Sequence, residues 1–287
     1  MQISNQVSTV KDRSIWEGLI DLNYHYKDQK TRVKSSYTRS PFRLQTPFYP
    51  ENDHICHSVI IHTAGGIVGG DRLVQNINLE ENCHALITTP AAAKIYKTNG
   101  LTATQSTQIT IASNSILEFL PQENIIFKGA KYQQNFQVLL GENSRFCTWE
   151  INRFGRTARG EKFNQGDWQS SYEVIQNGKL IWIDHQRLEG SDEICTSLNG
   201  LNNYAISATF YWLGDDIPDE LVSQCRDLIS QVIDRGEAGV TTLTKGMLCR
   251  YRGNSSTEVK RWFLQVWGIL RRHFLNKDKI VSRIWQL

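Results

Sequence analysis

The chain has no long hydrophobic run. Its longest apolar stretches, such as residues 58–61, are far shorter than the roughly 20 residues that a membrane-spanning helix needs. The first 16 residues contain no apolar core of the kind found in secretory signals. We therefore expect a cytoplasmic protein that does not bind membranes.

The chain also has little net charge and no patterned cysteines. A formal charge of +3 over 287 residues is too small to indicate a surface for nucleic acid. The six cysteines include no Cys-x-x-Cys pair, and a chain of this length can build its core without disulfides. We predict reduced cysteines and no nucleic-acid partner.

The signatures of several common enzyme classes are missing. The chain has no P-loop string, no Gly-x-Ser-x-Gly elbow and no His-Glu-x-x-His zinc motif. Its densest glycine cluster does not have the Gly-x-Gly-x-x-Gly spacing of a dinucleotide loop, and a strand-like run follows it instead of a helix. We therefore predict that the chain is not an enzyme.

What the chain does contain is a series of short strand-like runs separated by turn residues. Apolar and polar residues alternate in three of them, residues 73–79, 107–111 and 134–140. Asn-Gly pairs, which favour tight β-turns, occur at 99–100, 177–178 and 199–200. This spacing predicts a mainly β fold, either a sandwich or a stacked, solenoid-like body.

Two segments near the C-terminus have helical spacing instead. Pro218 suits the start of a helix over about 217–235, and Ser255 with Glu258 could cap a second helix over about 257–275. An apolar stripe on the second helix comprises Val259, Trp262, Phe263, Val266, Trp267, Leu270 and Phe274. The pattern places Arg271 off this stripe.

No linker divides the chain, so the sequence predicts one domain over residues 1–287. We expect a large stacked β body over about 15–215 and 237–253, with a pair of α-helices packed on it near the C-terminus.

Residues 62–71 hold the glycine cluster, which comprises Gly65, Gly66, Gly69 and Gly70 and ends on Asp71. Glycines this dense permit a tight turn with close backbone approach, and they also permit contact with a ligand or partner. Asp71 could accept N–H groups of the turn or offer a hard oxygen ligand to a passing cation. Both interpretations stay open.

His54, Cys56 and His62 are weak candidates for metal ligands. Together with His57 they form the one local concentration of soft ligands in the sequence. On a strand, His54 and Cys56 would share a face while His57 would point the other way, which disfavours a closed tetrahedral site. Any metal ion that contacts these residues would be bound transiently rather than tightly.

Two further segments contain candidate residues. The small-residue stretch 88–96 includes Thr89 and Lys94 and could be a tightly packed strand end or the wall of a narrow cavity. The stretch 149–161 includes Glu150 and Glu161 among three arginines. Paired carboxylates can do acid–base chemistry, so a β-rich hydrolase or a ligand-binding module is the alternative function, although no nucleophile or histidine is positioned beside them in sequence.

Several ordered blocks of this sequence resemble the urease accessory protein family UreD, which is also called UreH. The resemblance covers roughly residues 30–287. The blocks are RSPFRLQTPFYPE (39–51), HTAGGIVGGD (62–71), TTPAAAKIY (88–96), LPQENIIFKGA (120–130), FGRTARGEKF (154–163) and RIWQL (283–287). Phe154 stands where the family often has Leu, and Lys97 where Arg is common.

The resemblance implies a chaperone for urease maturation. It implies UreF, the nickel-carrying GTPase UreG and apo-urease as partners, with nickel in transit and no tightly bound cofactor. It also implies a mostly β fold enclosing a wet passage for the ion.

Three carboxylates are our first candidates for lining such a passage: Asp71, Glu150 and Asp184. Asp184 lies in the otherwise apolar run 180–185, where a carboxylate requires a reason. Glu161, Thr89 and Lys94 rank second. Oxygen ligands suit an ion that must be released, because thiolate sites would retain it.

Overall fold

The computed structural model describes residues 16–51 and 54–286. The strands in these ranges are β1 (Glu17–Lys27), β2 (Lys30–Arg39), β3 (Phe42–Leu44), β4 (Cys56–His62), β5 (Arg72–Leu79), β6 (His84–Thr88), β7 (Ala93–Ile95), β8 (Ala103–Ile111), β9 (Ile116–Leu120), β10 (Asn124–Ile126), β11 (Lys131–Leu140), β12 (Arg145–Phe154), β13 (Asp167–Gln176), β14 (Lys179–Glu189), β15 (Ile206–Leu213), β16 (Glu237–Leu243) and β17 (Gly246–Gly253). The α-helices are α1 (Asp192–Thr196), α2 (Asp219–Val232) and α3 (Ser256–Leu275). Short 3-10 turns occupy Thr157–Arg159 and Arg283–Gln286.

The strands form two sheets. Sheet I has the order β14-β13-β11-β8-β5-β1-β2, and sheet II has the order β16-β17-β15-β12-β9-β6-β4-β3, with β10 and β7 paired beside β12. From β5 to β12 the main strands alternate between the sheets, so that β5, β8, β11 and β13 are parallel neighbours in sheet I. Likewise β4, β6, β9 and β12 are parallel neighbours in sheet II. The predicted mainly β, stacked, solenoid-like body is confirmed.

Two apolar clusters hold three layers together. One lies between the sheets and contains Ile20, Ile77, Val138 and Phe146 among its fully buried members. The other lies between sheet II and helices α2 and α3, where Trp212 packs with Trp262, Phe263 and Trp267. Burying this much apolar surface on both faces of sheet II makes it the central layer of the molecule.

The predicted pair of C-terminal helices corresponds to α2 and α3, while the five-residue helix α1 was missed. The capping box is half formed. Ser255 Oγ accepts the N–H of Glu258 at 3.1 Å, but the Glu258 carboxylate binds elsewhere, to the N–H of Asp234 at 2.9 Å and the hydroxyl of Tyr251 at 2.8 Å. Glu258 therefore ties α3 to the end of α2 and to β17.

Of the three Asn-Gly pairs, 177–178 closes a two-residue hairpin, between β13 and β14. Asn177 and Gly178 both have positive φ, at 50° and 73°, as such a turn requires. The pair at 99–100 lies in the crossing from β7 to β8, and the pair at 199–200 follows α1. No helix in the described residues is long and apolar enough to cross a membrane.

Candidate functional site

A cavity of about 290 Å³ lies between the two sheets. Sheet I supplies one glutamine from each of three neighbouring strands, Gln75, Gln105 and Gln134. Sheet II and its connections supply small and aromatic residues, including Ala91, Ala92, Ala93, Phe119 and Trp149. The combination of amide groups and apolar walls leaves room for water beside a few fixed polar atoms.

The mouth of the cavity is marked by lining residues that are exposed, Gly65, Ala91 and Lys94. Beside them, a Cβ atom on Gly66 would lie 2.4 Å from the Tyr96 ring and 2.5 Å from the Lys94 carbonyl. Only glycine therefore lets this turn pack against the end of β7, where the N–H of Ile67 donates to the Lys94 carbonyl at 2.7 Å. The first glycine pair forms one wall of the mouth.

The second glycine pair and Asp71 have a different place. A Cβ on Gly69 would overlap Thr98, and Gly70 has φ of +97°. The Asp71 carboxylate accepts the N–H of Val68 at 2.9 Å, which closes the turn. Asp71 is buried but does not line the cavity. Its contacts match the turn-closing interpretation, and its contribution to a passage stays a prediction.

Glu150 lies on the inner wall of the cavity and is 6% exposed. Its two oxygens accept hydrogen bonds from Asn152 Nδ2 and, at 2.8 Å, from Ser170 Oγ. Burial, with a smaller contribution from the nearby charge of Asp184, raises the pKa of this carboxyl to about 7 despite these hydrogen bonds. Glu150 can therefore exchange a proton near neutral pH.

Strand register extends the polar lining away from the cavity. In sheet I, Ser170 lies opposite Gln186 and Tyr172 lies opposite Asp184. In sheet II, Thr209 lies between Glu150 on one side and Arg250 on the other. We call this set the polar seam; it comprises Glu150, Ser170, Asp184, Gln186, Thr209 and Arg250.

Hydrogen bonds join one end of the polar seam to the cavity and link the residues at its other end. At the cavity end, Gln134 Nε2 donates to Ser170 Oγ at 3.2 Å. Further along, Gln186 Nε2 donates to Asp184 at 3.0 Å and to Thr209 Oγ1 at 3.4 Å. The hydrogen bonds of the polar seam thus form two neighbouring groups, one around Glu150 and one around Asp184. The two carboxyls lie on different sheets, and the charge of Asp184 acts on the pKa of Glu150.

Asp184 is 8% exposed and surrounded by donors. Besides Gln186, it accepts the hydroxyl of Tyr211 at 2.5 Å and two bonds from one nitrogen of Arg250 at 2.9 and 2.8 Å. The requirement for a partner that the sequence indicated is therefore met by an ion pair across the two sheets.

The second-rank candidates divide between the cavity and another site. Thr89 and Lys94 line the cavity, where Thr89 Oγ1 also accepts the N–H of Gln122 at 2.8 Å. Glu161 lies elsewhere, in an ion pair with Arg156 at 2.5 Å, and accepts the N–H of Lys128. Burial alone would raise the pKa of Glu161, but these contacts lower it below its usual value.

His54, Cys56 and His62 have three different environments. His54 is exposed and contacts the Gln29 carbonyl, whereas Cys56 is buried and contacts Ser58. His62 lines the cavity, where burial lowers its pKa and its Nε2 atom has no hydrogen-bond partner within the described residues. No group of three or more His, Cys, Asp or Glu side chains suited to a metal ion occurs in residues 16–51 and 54–286.

A buried ionic cluster behind sheet II was missed by the sequence analysis. Arg271 is fully buried, so its predicted place off the apolar stripe of α3 was wrong. Its guanidinium binds Glu51 at 2.9 and 3.0 Å and lies 3.0 Å from Glu118. Spacing could have revealed this, because Arg271 follows Trp267 by four residues and so shares its helix face.

Two histidines and a tryptophan complete this cluster. His57 and His84 each lie 2.7 Å from a carboxylate oxygen, of Glu51 and Glu118 respectively, and Trp267 Nε1 donates to Glu118. Burial alone would raise the pKa of Glu51, but bonds from His57 and Arg271 lower it to about 2. Burial alone would also raise the pKa of Glu118, but the charge of Arg271 and the hydrogen bonds from His84 and Trp267 together lower it.

Comparisons with known proteins agree on one family. A family model described as UreD urease accessory protein matches residues 17–286. The protein named urease accessory protein UreD from a Nostoc species is 47% identical over 271 residues, which cover 94% of this chain and 96% of the relative. The protein of the same name from Acaryochloris marina is 45% identical over 282 residues, covering 98% and 99%.

Proposed function

The chain belongs to the UreD family of urease accessory proteins, and from this premise we propose that it is a non-catalytic maturation protein for urease. It acts in the cytoplasm with UreF and the nickel-carrying GTPase UreG. The assembly docks on apo-urease, and nickel reaches the urease active site by way of this chain. Nickel is cargo in this scheme and is not retained as a cofactor.

The observation that carries the proposal is the connection between the cavity and the polar seam. A divalent cation leaving water loses a large hydration energy, which only oxygen or nitrogen ligands along its route can offset. The cavity offers the Gln75 amide oxygen, which has no hydrogen-bond partner within the described residues. The polar seam then offers the carboxylates of Glu150 and Asp184. These groups supply ligands at successive depths between the sheets.

The pKa of Glu150 suits transfer of a nickel ion better than its retention. A carboxyl with a pKa of about 7 is partly protonated at neutral pH, so a cation must displace a proton in order to bind. That competition weakens binding and favours release. A permanently ionised carboxylate would bind the cation more tightly.

The cysteines are arranged so that they do not trap nickel. All six are buried, and burial raises the pKa of each thiol. Because the thiolate is the form that binds metal, protonated buried thiols are poor ligands. A passage lined by carboxyl, amide and hydroxyl groups therefore competes with few strong soft ligands along its length.

The test is reconstitution of urease activity from apo-urease, UreF, GTP-loaded UreG and nickel, with and without this protein. We expect activity only when it is present, and we expect Glu150→Gln and Asp184→Asn to lower activation by about tenfold or more. The exposed Glu189→Gln on β14 is the control and should activate normally. Equal activity without the protein would contradict the maturation function, whereas full activation by both seam variants would contradict the passage alone.

A carboxylate-dependent hydrolase is the competing function. Glu150 has a pKa that suits acid–base chemistry, but both its oxygens are engaged by Asn152 and Ser170. Turnover of a panel of ester, amide and glycoside substrates by the isolated protein, abolished by Glu150→Gln, would favour this alternative.

A further inference from the structure

Arg250 occupies the outer end of the polar seam. Its strand, β17, lies between β15 and β16, near the open side of the sandwich where β14 forms the edge of sheet I. From there the guanidinium reaches Asp184, and one nitrogen lies 2.9 and 2.8 Å from its two oxygens. The Arg250 side chain is 44% exposed, while that of Asp184 is 8% exposed. The ion pair therefore joins the interior of the polar seam to solvent.

The guanidinium uses the same oxygens that a passing cation would need. Tyr211 and Gln186 also donate to Asp184, but they are neutral, so Arg250 supplies the charge that neutralises this buried carboxylate. A divalent cation at Asp184 would repel the guanidinium and compete with it directly. The two cannot bind the carboxylate in the same way at once.

Arg250 can leave at small cost when another cation takes its place at Asp184. Nearly half its side chain is already in water, so moving the guanidinium outward regains hydration and loses only a partly screened ion pair. Arg271 contrasts with it, because that side chain is fully buried and held by Glu51, Glu118 and the Asp278 carbonyl. Arg271 is therefore fixed in place, whereas Arg250 can be displaced.

We propose that Arg250 is a displaceable closing residue, which blocks the outer end of the polar seam when no cation is present and yields Asp184 to a divalent cation in transit. This inference rests on the proposed passage. It gives the seam a preference for divalent ions, since a monovalent cation gains no charge advantage over the guanidinium that it replaces. It also keeps Asp184 from becoming a tight cation site.

The test is calorimetric titration of the full chain with Ni²⁺. Arg250→Gln should bind Ni²⁺ about tenfold more tightly than the wild type, because Asp184 has lost its competing charge. Arg250→Lys keeps the charge and should bind like the wild type. Asp184→Asn in the Arg250→Gln background should remove the gain. Arg187→Gln is the control. It breaks an exposed ion pair with Asp167 on the outer face of sheet I and should leave the affinity for Ni²⁺ unchanged.

Unchanged affinity in a folded Arg250→Gln variant, or a gain that survives Asp184→Asn, would overturn the inference. Thermal unfolding of each variant shows that it is folded. The passage itself is judged separately, by activation of urease with Glu150→Gln and with Asp184→Asn. Normal activation by both variants, together with an Asp184-dependent gain in affinity, would leave Arg250 as a competitor for Asp184 while removing the passage.

Discussion

The buried carboxyl of Glu150 links the stability of the sandwich to pH. Its pKa is raised from the ordinary value of 4.5 to about 7 in the folded chain, so the folded state binds more protons than the unfolded state between these two values. Stability from this group is therefore complete below about 4.5 and declines as pH rises through about 7. The loss corresponds to roughly 3 kcal/mol, at 1.4 kcal/mol for each unit of pKa.

Glu150→Gln should remove this dependence. We expect the variant to gain stability relative to the wild type as pH increases from about 4.5 to about 8, by roughly 3 kcal/mol in total, because the amide has no proton to lose. Urea unfolding at several pH values measures the difference, and taking it between two proteins cancels the other titrating groups. Glu189→Gln should track the wild type. A constant difference between Glu150→Gln and the wild type would contradict the raised pKa.

For single residues, the sequence indicated which carboxylate is buried but not which residue it contacts. Asp184 stands out because it lies in an otherwise apolar run, residues 180–185, where a buried carboxylate requires a partner. The identity of the partner was out of reach, since Arg250 lies 66 residues further along the chain. For Asp71 the sequence left two roles open, and the hydrogen bond from Val68 supports the local one.

At the level of elements, the sequence predicted whether a segment forms a strand or a helix better than it predicted how the strands are connected. The strand-like run 134–140 corresponds to β11, and the apolar stripe of residues 259–274 corresponds to α3. Asn-Gly pairs favour hairpins locally, yet the pair at 99–100 lies where the chain crosses from one sheet to the other. The position of this pair is decided by the stacking of successive coils, in which parallel neighbouring strands are about one coil apart along the chain. This stacking leaves no signal in the local sequence.

Helix α3 is anchored to sheet II by Arg271. Arg271→Met should lower the unfolding free energy by about 3–5 kcal/mol near neutral pH, because Glu51 and Glu118 would remain buried without their shared cation. Its sequence neighbour gives a matched control. Arg272 is 74% exposed and pairs with the exposed Asp278, so Arg272→Met should change stability by less than about 1 kcal/mol. Chemical denaturation measures the unfolding free energy of both variants. A loss for Arg271→Met as small as the loss for Arg272→Met would show that the buried cluster contributes little to stability.

At the scale of the whole molecule, the polar seam exists because coils of chain stack in register. Glu150 meets Thr209, and Thr209 meets Arg250, only because β12, β15 and β17 are neighbours in sheet II. Ser170 and Gln186 face them from sheet I. Pairing of strands so far apart in sequence is set by burial of whole sheet faces, so neither the polar seam nor the position of Arg250 in it could be predicted from sequence. The sequence singled out Glu150 and Asp184, and their contribution to a passage stays a prediction.

The cavity mouth offers a test of the route that leaves every polar group in place. Ala92 is half-buried in the small-residue stretch that lines the cavity, and a phenylalanine there would fill part of the roughly 290 Å³ available. Ala92→Phe should lower urease activation severalfold by obstructing entry, with little change in thermal unfolding because the residue borders empty space. Ala158→Phe, an exposed position in the 3-10 turn at 157–159, adds the same bulk away from the cavity and should activate normally. Full activation by a folded Ala92→Phe variant would show that nickel does not enter by this mouth, and equal losses in both variants would point to a general effect of added bulk on partner binding.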